Sequence, residues 1–97
     1  MPLKRLTLLA LALAGCASTP PPATELTSAR AAIEQAAPLA HRHAPAELAA
    51  AQKKLARAEQ AMARDERAQA RRLAEEAEVD ARFAWAVAEH ERSRAPE

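Results

Sequence analysis

The chain has 97 residues, room for one small domain, and sets 14 Lys and Arg against 13 Asp and Glu. Taking Lys4 and Arg5 away with an amino-terminal leader leaves 12 basic against 13 acidic side chains, a balance that argues against a nucleic-acid partner, which would call for a clustered basic face. Close to a third of the residues are Ala, Phe83 and Trp85 are the only aromatics, and there is a single Gly; without the β-branched and aromatic residues of a sheet, the composition reads as all-α.

Residues 1–15 open with Lys4 and Arg5 and continue as an apolar run from Leu6 to Ala14, the n-region and h-region of a secretory signal. The run is about half of the ~20 residues a membrane-spanning helix needs. It ends at Leu13-Ala14-Gly15-Cys16, which resembles the lipobox of bacterial lipoproteins. That resemblance implies diacylglycerol on the Cys16 thiol, cleavage between Gly15 and Cys16, and N-acylation of the new terminus. Cys16 is the only cysteine, so no internal disulfide competes for it. Each buried CH₂ is worth roughly 0.8 kcal/mol, and three acyl chains make a durable anchor. Ala17 follows where Asp would signal retention in the inner membrane of enterobacterial-type lipoproteins, which implies the outer membrane, periplasmic side.

Residues 16–24 then form the lipidated cysteine and a Pro-rich linker. Its segment 17–23 carries three consecutive prolines and is expected to extend as polyproline II, standing the domain off the membrane by roughly 20 Å. The helical domain is expected over residues 25–94, as an antiparallel helical hairpin or three-helix bundle. A first helix is expected over 25–37, capped by Thr24 and ended or kinked by Pro38, with Leu26, Ala29, Ile33, Ala36 and Ala37 on its apolar face. Pro45 suits the first position of a second helix over 45–63, and Leu48, Ala51, Leu55, Ala58 and Met62 line one face at spacings of three and four. A third helix is expected over 66–92, with Asp65 as its cap and Ala70, Leu73, Ala77, Ala81, Ala84 and Ala88 facing the core. A turn at 64–66 and an unbroken helix through it fit the sequence about equally. Arg71 with Glu75, Arg72 with Glu76 and Glu78 with Arg82 are spaced for pairing along the outside.

This body resembles the small helical lipoproteins grouped as domain of unknown function 4398. The resemblance is carried by Ala32-Ile33, Ala44-Pro45-Ala46-Glu47-Leu48, Lys54-Leu55 with Ala58, and Ala70-Arg71-Arg72-Leu73-Ala74-Glu75-Glu76-Ala77 followed by Asp80-Ala81. His43 stands where an aromatic commonly precedes Ala-Pro, and the family's Gly-Asp-Tyr-like turn is missing at 64–66. Some members are fused to, or encoded near, an OmpA-like peptidoglycan-binding domain, and the resemblance therefore implies an envelope protein, such as an OmpA-like one, as partner. No such domain lies within these 97 residues.

No residue set carries a reaction, so no enzyme and no cofactor beyond the lipid is expected. His41, His43 and His90 are read as exposed histidines rather than metal ligands. Asp80, at the edge of the third helix's Ala stripe, is expected to pair with a basic side chain across helices. Val79 and Phe83 point away from that stripe and Trp85 flanks it. Either they pack on the first helix or they form a partner-contact patch. Thin Ala/Leu seams also suit self-association without fixing an oligomeric state. The function expected is therefore a lipid-anchored, non-enzymatic structural or protein-interaction module. The alternative is an amphipathic protein that lays its Ala and Leu faces on a membrane surface. A third comparison, to the murein lipoprotein, stops at Ala95-Pro96-Glu97, where that family carries a Lys.

Overall fold

The computed structural model describes residues 20–94. The leader, Cys16 and the start of the linker lie outside them. The described chain is a three-helix bundle: α1 is Ala23–His43, α2 is Pro45–Ala63 and α3 is Arg67–Arg94. At a rise of ~1.5 Å per residue the 28 residues of α3 make it the longest rod, and both other helices pack along it more than on each other.

Two clusters of buried side chains set the topology. Leu26 and Ala29 from the start of α1 meet Ala58 and Ala61 from the end of α2 and Ala70, Leu73, Ala74 and Ala77 from the start of α3. At the other end, Ile33, Ala36, Ala40 and Ala44 meet Leu48, Ala51, Ala81, Ala84 and Ala88. Hence α1 and α3 run parallel, and α2 runs back between them. Thirteen of the seventeen buried apolar residues are Ala, so the helices are able to approach near the lower end of the ~8–10 Å interaxial range.

Both reversals are short. Ala44 alone separates α1 from α2, with φ −150° and ψ 53°. Its N–H donates to the Ala40 carbonyl at 2.8 Å and its carbonyl accepts from Leu48 N–H at 3.0 Å. Pro45 has no N–H to carry α1 onward, so the ladder stops there and restarts as α2. The second reversal is a Schellman motif: Asp65 N–H donates to the Met62 carbonyl at 3.0 Å and Glu66 N–H to the Ala61 carbonyl at 2.9 Å. Asp65 holds the left-handed position with φ 60°, one that short polar residues tolerate and Gly usually fills.

Three expectations about helix ends, and one about the linker, need correction. The first helix does not stop near Ala37 but runs on through Pro38 to His43. The stripe Ile33–Ala36–Ala40–Ala44 continues at helical spacing into the core cluster on α3, while Pro38 itself is exposed, so packing outweighs one missing hydrogen bond. Nor is Thr24 the cap: α1 starts at Ala23, Pro22 occupies the cap position without a side-chain bond, and Thr24 is already helical. Likewise Asp65 is not the cap of α3 but the left-handed residue of the turn, with Glu66 between it and the helix. The described part of the linker is docked rather than free. Pro22 is fully buried, its carbonyl accepts from Leu26 N–H at 3.0 Å, and the Pro20 carbonyl accepts from Arg71 Nη2 at 3.0 Å.

Replacing Pro38 by Ala restores a ladder hydrogen bond within an existing helix. The expected gain is about 1–3 kcal/mol, the interior-Pro penalty less the loss of unfolded-state restriction. A thermal melt should move up by several degrees. By contrast Ala81→Leu, at a fully buried contact of the α3 stripe, should cost about 1–3 kcal/mol through overpacking, lowering the melting midpoint by about 4–8 °C per kcal/mol in a domain of this size.

Candidate functional site: the flanks of the third helix

The residues that the core leaves out are the ones available for function. Val79 is 63 % exposed, Phe83 59 % and Trp85 45 %. One helical turn separates Val79 from Phe83, so they share a row, whereas Trp85 follows Phe83 by two residues, about 200° around the axis. The structure therefore divides the expected patch in two. Val79 and Phe83 lie over the α2–α3 groove, Phe83 beside Ala46, Glu47 and Ala50 in a shallow recess of about 300 Å³. Trp85 lies over the α1–α3 groove beside Ala32, Gln35 and Ala36, in a recess of about 190 Å³. Packing of Val79 and Phe83 on the first helix is thus not what is found; only Trp85 borders it. A core of alanines at close approach has no hole large enough for an aromatic ring.

An ion cluster divides the α2–α3 groove at mid-length. Lys54 Nζ sits 3.1 Å from Asp80 Oδ2 and 3.2 Å from Glu76 Oε1. The hydrogen bond that Lys54 donates to Asp80, then the one it donates to Glu76, holds its ammonium above the ordinary lysine value of 10.5. Asp80 thereby finds its basic partner across helices. The other two helix pairs are also bridged, α1 to α2 by Arg30 and Glu59 at 3.0 Å and α1 to α3 by Arg71 and Glu25 at 3.6 Å. Arg72–Glu76 and Glu78–Arg82 pair along α3 at 3.6 and 2.8 Å. Arg71 does not pair with Glu75; it turns inward to Glu25 and the Pro20 carbonyl, where reduced solvent access screens the attraction less.

Towards the Asp65 turn the same groove widens to a recess of about 360 Å³ with mostly polar walls, lined by Arg57, Gln60, Arg64, Glu66, Gln69 and Arg72. Sequence reasoning passed over it because its two rows face one another only once the turn sets their register. Spacings of three and four among Arg57, Gln60 and Arg64, and of three between Gln69 and Arg72, were the available signal.

His41 and His43 end α1 and His90 lies near the end of α3, all at the bundle end opposite this turn. Among the described residues no group of three or more His, Cys, Asp or Glu could hold a metal ion. No helix among them is long and apolar enough to cross a membrane. The expected lipid-attachment residue, Cys16, lies outside the described residues.

Because its folded-state value is raised, Lys54 contributes stability that is fully present below 10.5 and is lost as pH rises through the higher folded value. Alkaline titration of the melting midpoint should show a decline above that range, and Lys54→Met should be less stable at neutral pH and flatten this decline.

The chain matches no curated protein and no solved structure. The family described as domain of unknown function (DUF4398) matches residues 24–96, which takes in all three helices from the first turn of α1 onward. By that match over most of its length, the chain belongs to the DUF4398 family.

Proposed function

We propose that this protein is a lipid-anchored, non-enzymatic module of the cell envelope, held through acylated Cys16 to the periplasmic side of the outer membrane and offering its α3 flanks to an envelope protein. The observation that carries the reading is the lipobox-like Leu13-Ala14-Gly15-Cys16 set directly before a chain that docks at Pro20. Residues 16–19 are then the only spacer between the acyl group and the bundle. Four residues reach at most ~14 Å even when fully extended. That is shorter than the seven-residue standoff expected from the prolines, and it favours a module working close against the membrane.

The fold supports an interaction role rather than the amphipathic alternative. A protein that spreads on lipid needs its apolar faces free, and here Leu26, Ile33, Leu48 and Leu73 are buried among the helices. Among the described residues the large apolar side chains left exposed are Val79 and Phe83 on one flank and Trp85 on the other, and a tryptophan is the kind of side chain that anchors a partner once buried against it. An OmpA-like envelope protein is the partner that the family resemblance implies.

Labelling cells with radioactive palmitate should tag the wild-type chain and send it to the outer-membrane fraction. The Cys16→Ala variant should lose both the label and the fractionation; label retained by that variant would sink the anchor.

A further inference from the structure

The recess beside the Asp65 turn has the composition of an oxyanion site. Three arginines line it, Arg57 of α2, Arg64 at the C-cap of α2 and Arg72 of α3, together with the amide-bearing Gln60 and Gln69. Arg72 is shared with Glu76 at 3.6 Å. Arg57 and Arg64 have no carboxylate partner among the described residues, although most other basic side chains of the bundle have one. Glu66 is the one carboxylate on the lining. Gln69 belongs to the first turn of α3, so the positive end of that 28-residue helix's dipole lies beside the recess.

We propose that this recess binds a phosphate group, a phosphomonoester or phosphodiester, through Arg57, Arg64 and Arg72 with the Gln60 and Gln69 amides. The planar guanidinium fork matches the spacing of phosphate oxygens and donates two hydrogen bonds at once, which a lysine ammonium cannot do. Position then narrows the source. Arg71, whose Nη2 holds the Pro20 carbonyl, is the immediate neighbour of Arg72 on α3. The recess thus lies at the end of the bundle where the amino-terminal segment arrives. If Cys16 is acylated, as in the reading above, that end faces the lipid surface and the phosphate belongs to a headgroup. The site itself does not depend on the anchor.

The test is a titration of the ¹⁵N-labelled full chain in dodecyl maltoside micelles, at constant ionic strength, with inorganic phosphate and, separately, with dihexanoyl phosphatidylglycerol or dihexanoyl phosphatidylcholine. Saturable shifts are expected at Arg57, Gln60, Arg64, Gln69 and Arg72, and not at Arg30 or Arg82. The double variant Arg57→Gln/Arg64→Gln should bind at least tenfold more weakly while keeping its melting midpoint, and Glu66→Gln should bind more tightly. Tighter binding of the glycerol lipid than of inorganic phosphate identifies a headgroup ligand, and the reverse order identifies free phosphate. Absence of saturation, shifts spread evenly over all arginines, or unchanged affinity in the double variant overturns the site. Because acylation is read by palmitate labelling and the recess by this titration, either can fail without the other.

Discussion

Close contact between alanine faces is the interaction on which this structure depends. Ala70, Ala74, Ala77, Ala81, Ala84 and Ala88 of α3 are all fully buried, against Ala29, Ala36 and Ala40 of α1 and Ala51 and Ala58 of α2. A methyl group removes little apolar area from water, far less than the ~1.5–3 kcal/mol of a whole buried Leu or Ile. What such a seam supplies instead is proximity, which lets backbone and Cβ atoms make many dispersion contacts that longer side chains would prevent. The cost is intolerance of bulk. Phe83, Trp85 and Val79 are outside because a seam at that spacing has no place for them, and so the packing rule that builds the core also decides which side chains a partner can reach.

A thin core makes the rim matter. Each of the three helix pairs carries an interhelical ion pair, Arg30–Glu59, Arg71–Glu25 and Lys54 with Glu76 and Asp80. Solvent-accessible pairs of this kind contribute little each, so they do not hold the bundle together. Their effect is on register. Alanine seams are nearly featureless along their length, and a helix displaced by one turn would keep most of its apolar contacts but lose its charge partners. The two tight reversals act in the same direction, since one residue at Ala44 and the Arg64–Glu66 turn leave no slack for sliding.

Much of this fold is legible in the residue pattern. The i, i+3, i+4 recurrence of Ala and Leu identifies the three buried faces, and of the residues it picks for α3 every one is buried. It failed where a local rule competed with packing. Pro38 reads as a helix end from its chemistry alone, yet the stripe on either side of it continues onto α3 and the helix follows the stripe. Thr24 and Asp65 read as caps by residue type, but Pro22 and the Schellman turn settle those ends through backbone bonds that no side chain announces. The docked prolines went unseen for a different reason. Their partners, Arg71 and Leu26, lie 51 and 4 residues away from the acceptors they engage, and the longer of these contacts exists only after the bundle has formed.

The candidate recess follows from the same logic. Arg57 and Arg64 look like ordinary solvated helix surface until the Asp65 turn folds α3 back along α2, at which point Arg72 and Gln69 stand opposite them. The bundle is therefore polar along its length: guanidinium groups and the arriving amino-terminal segment at one end, the Lys54 cluster at the middle, Phe83 with its alanine-lined recess beyond. A rod with unlike ends and unlike flanks has a defined orientation with respect to whatever holds it. Arg71 holds the Pro20 carbonyl at the guanidinium end, so Val79 and Phe83 lie further along α3 from the end at which the described chain begins.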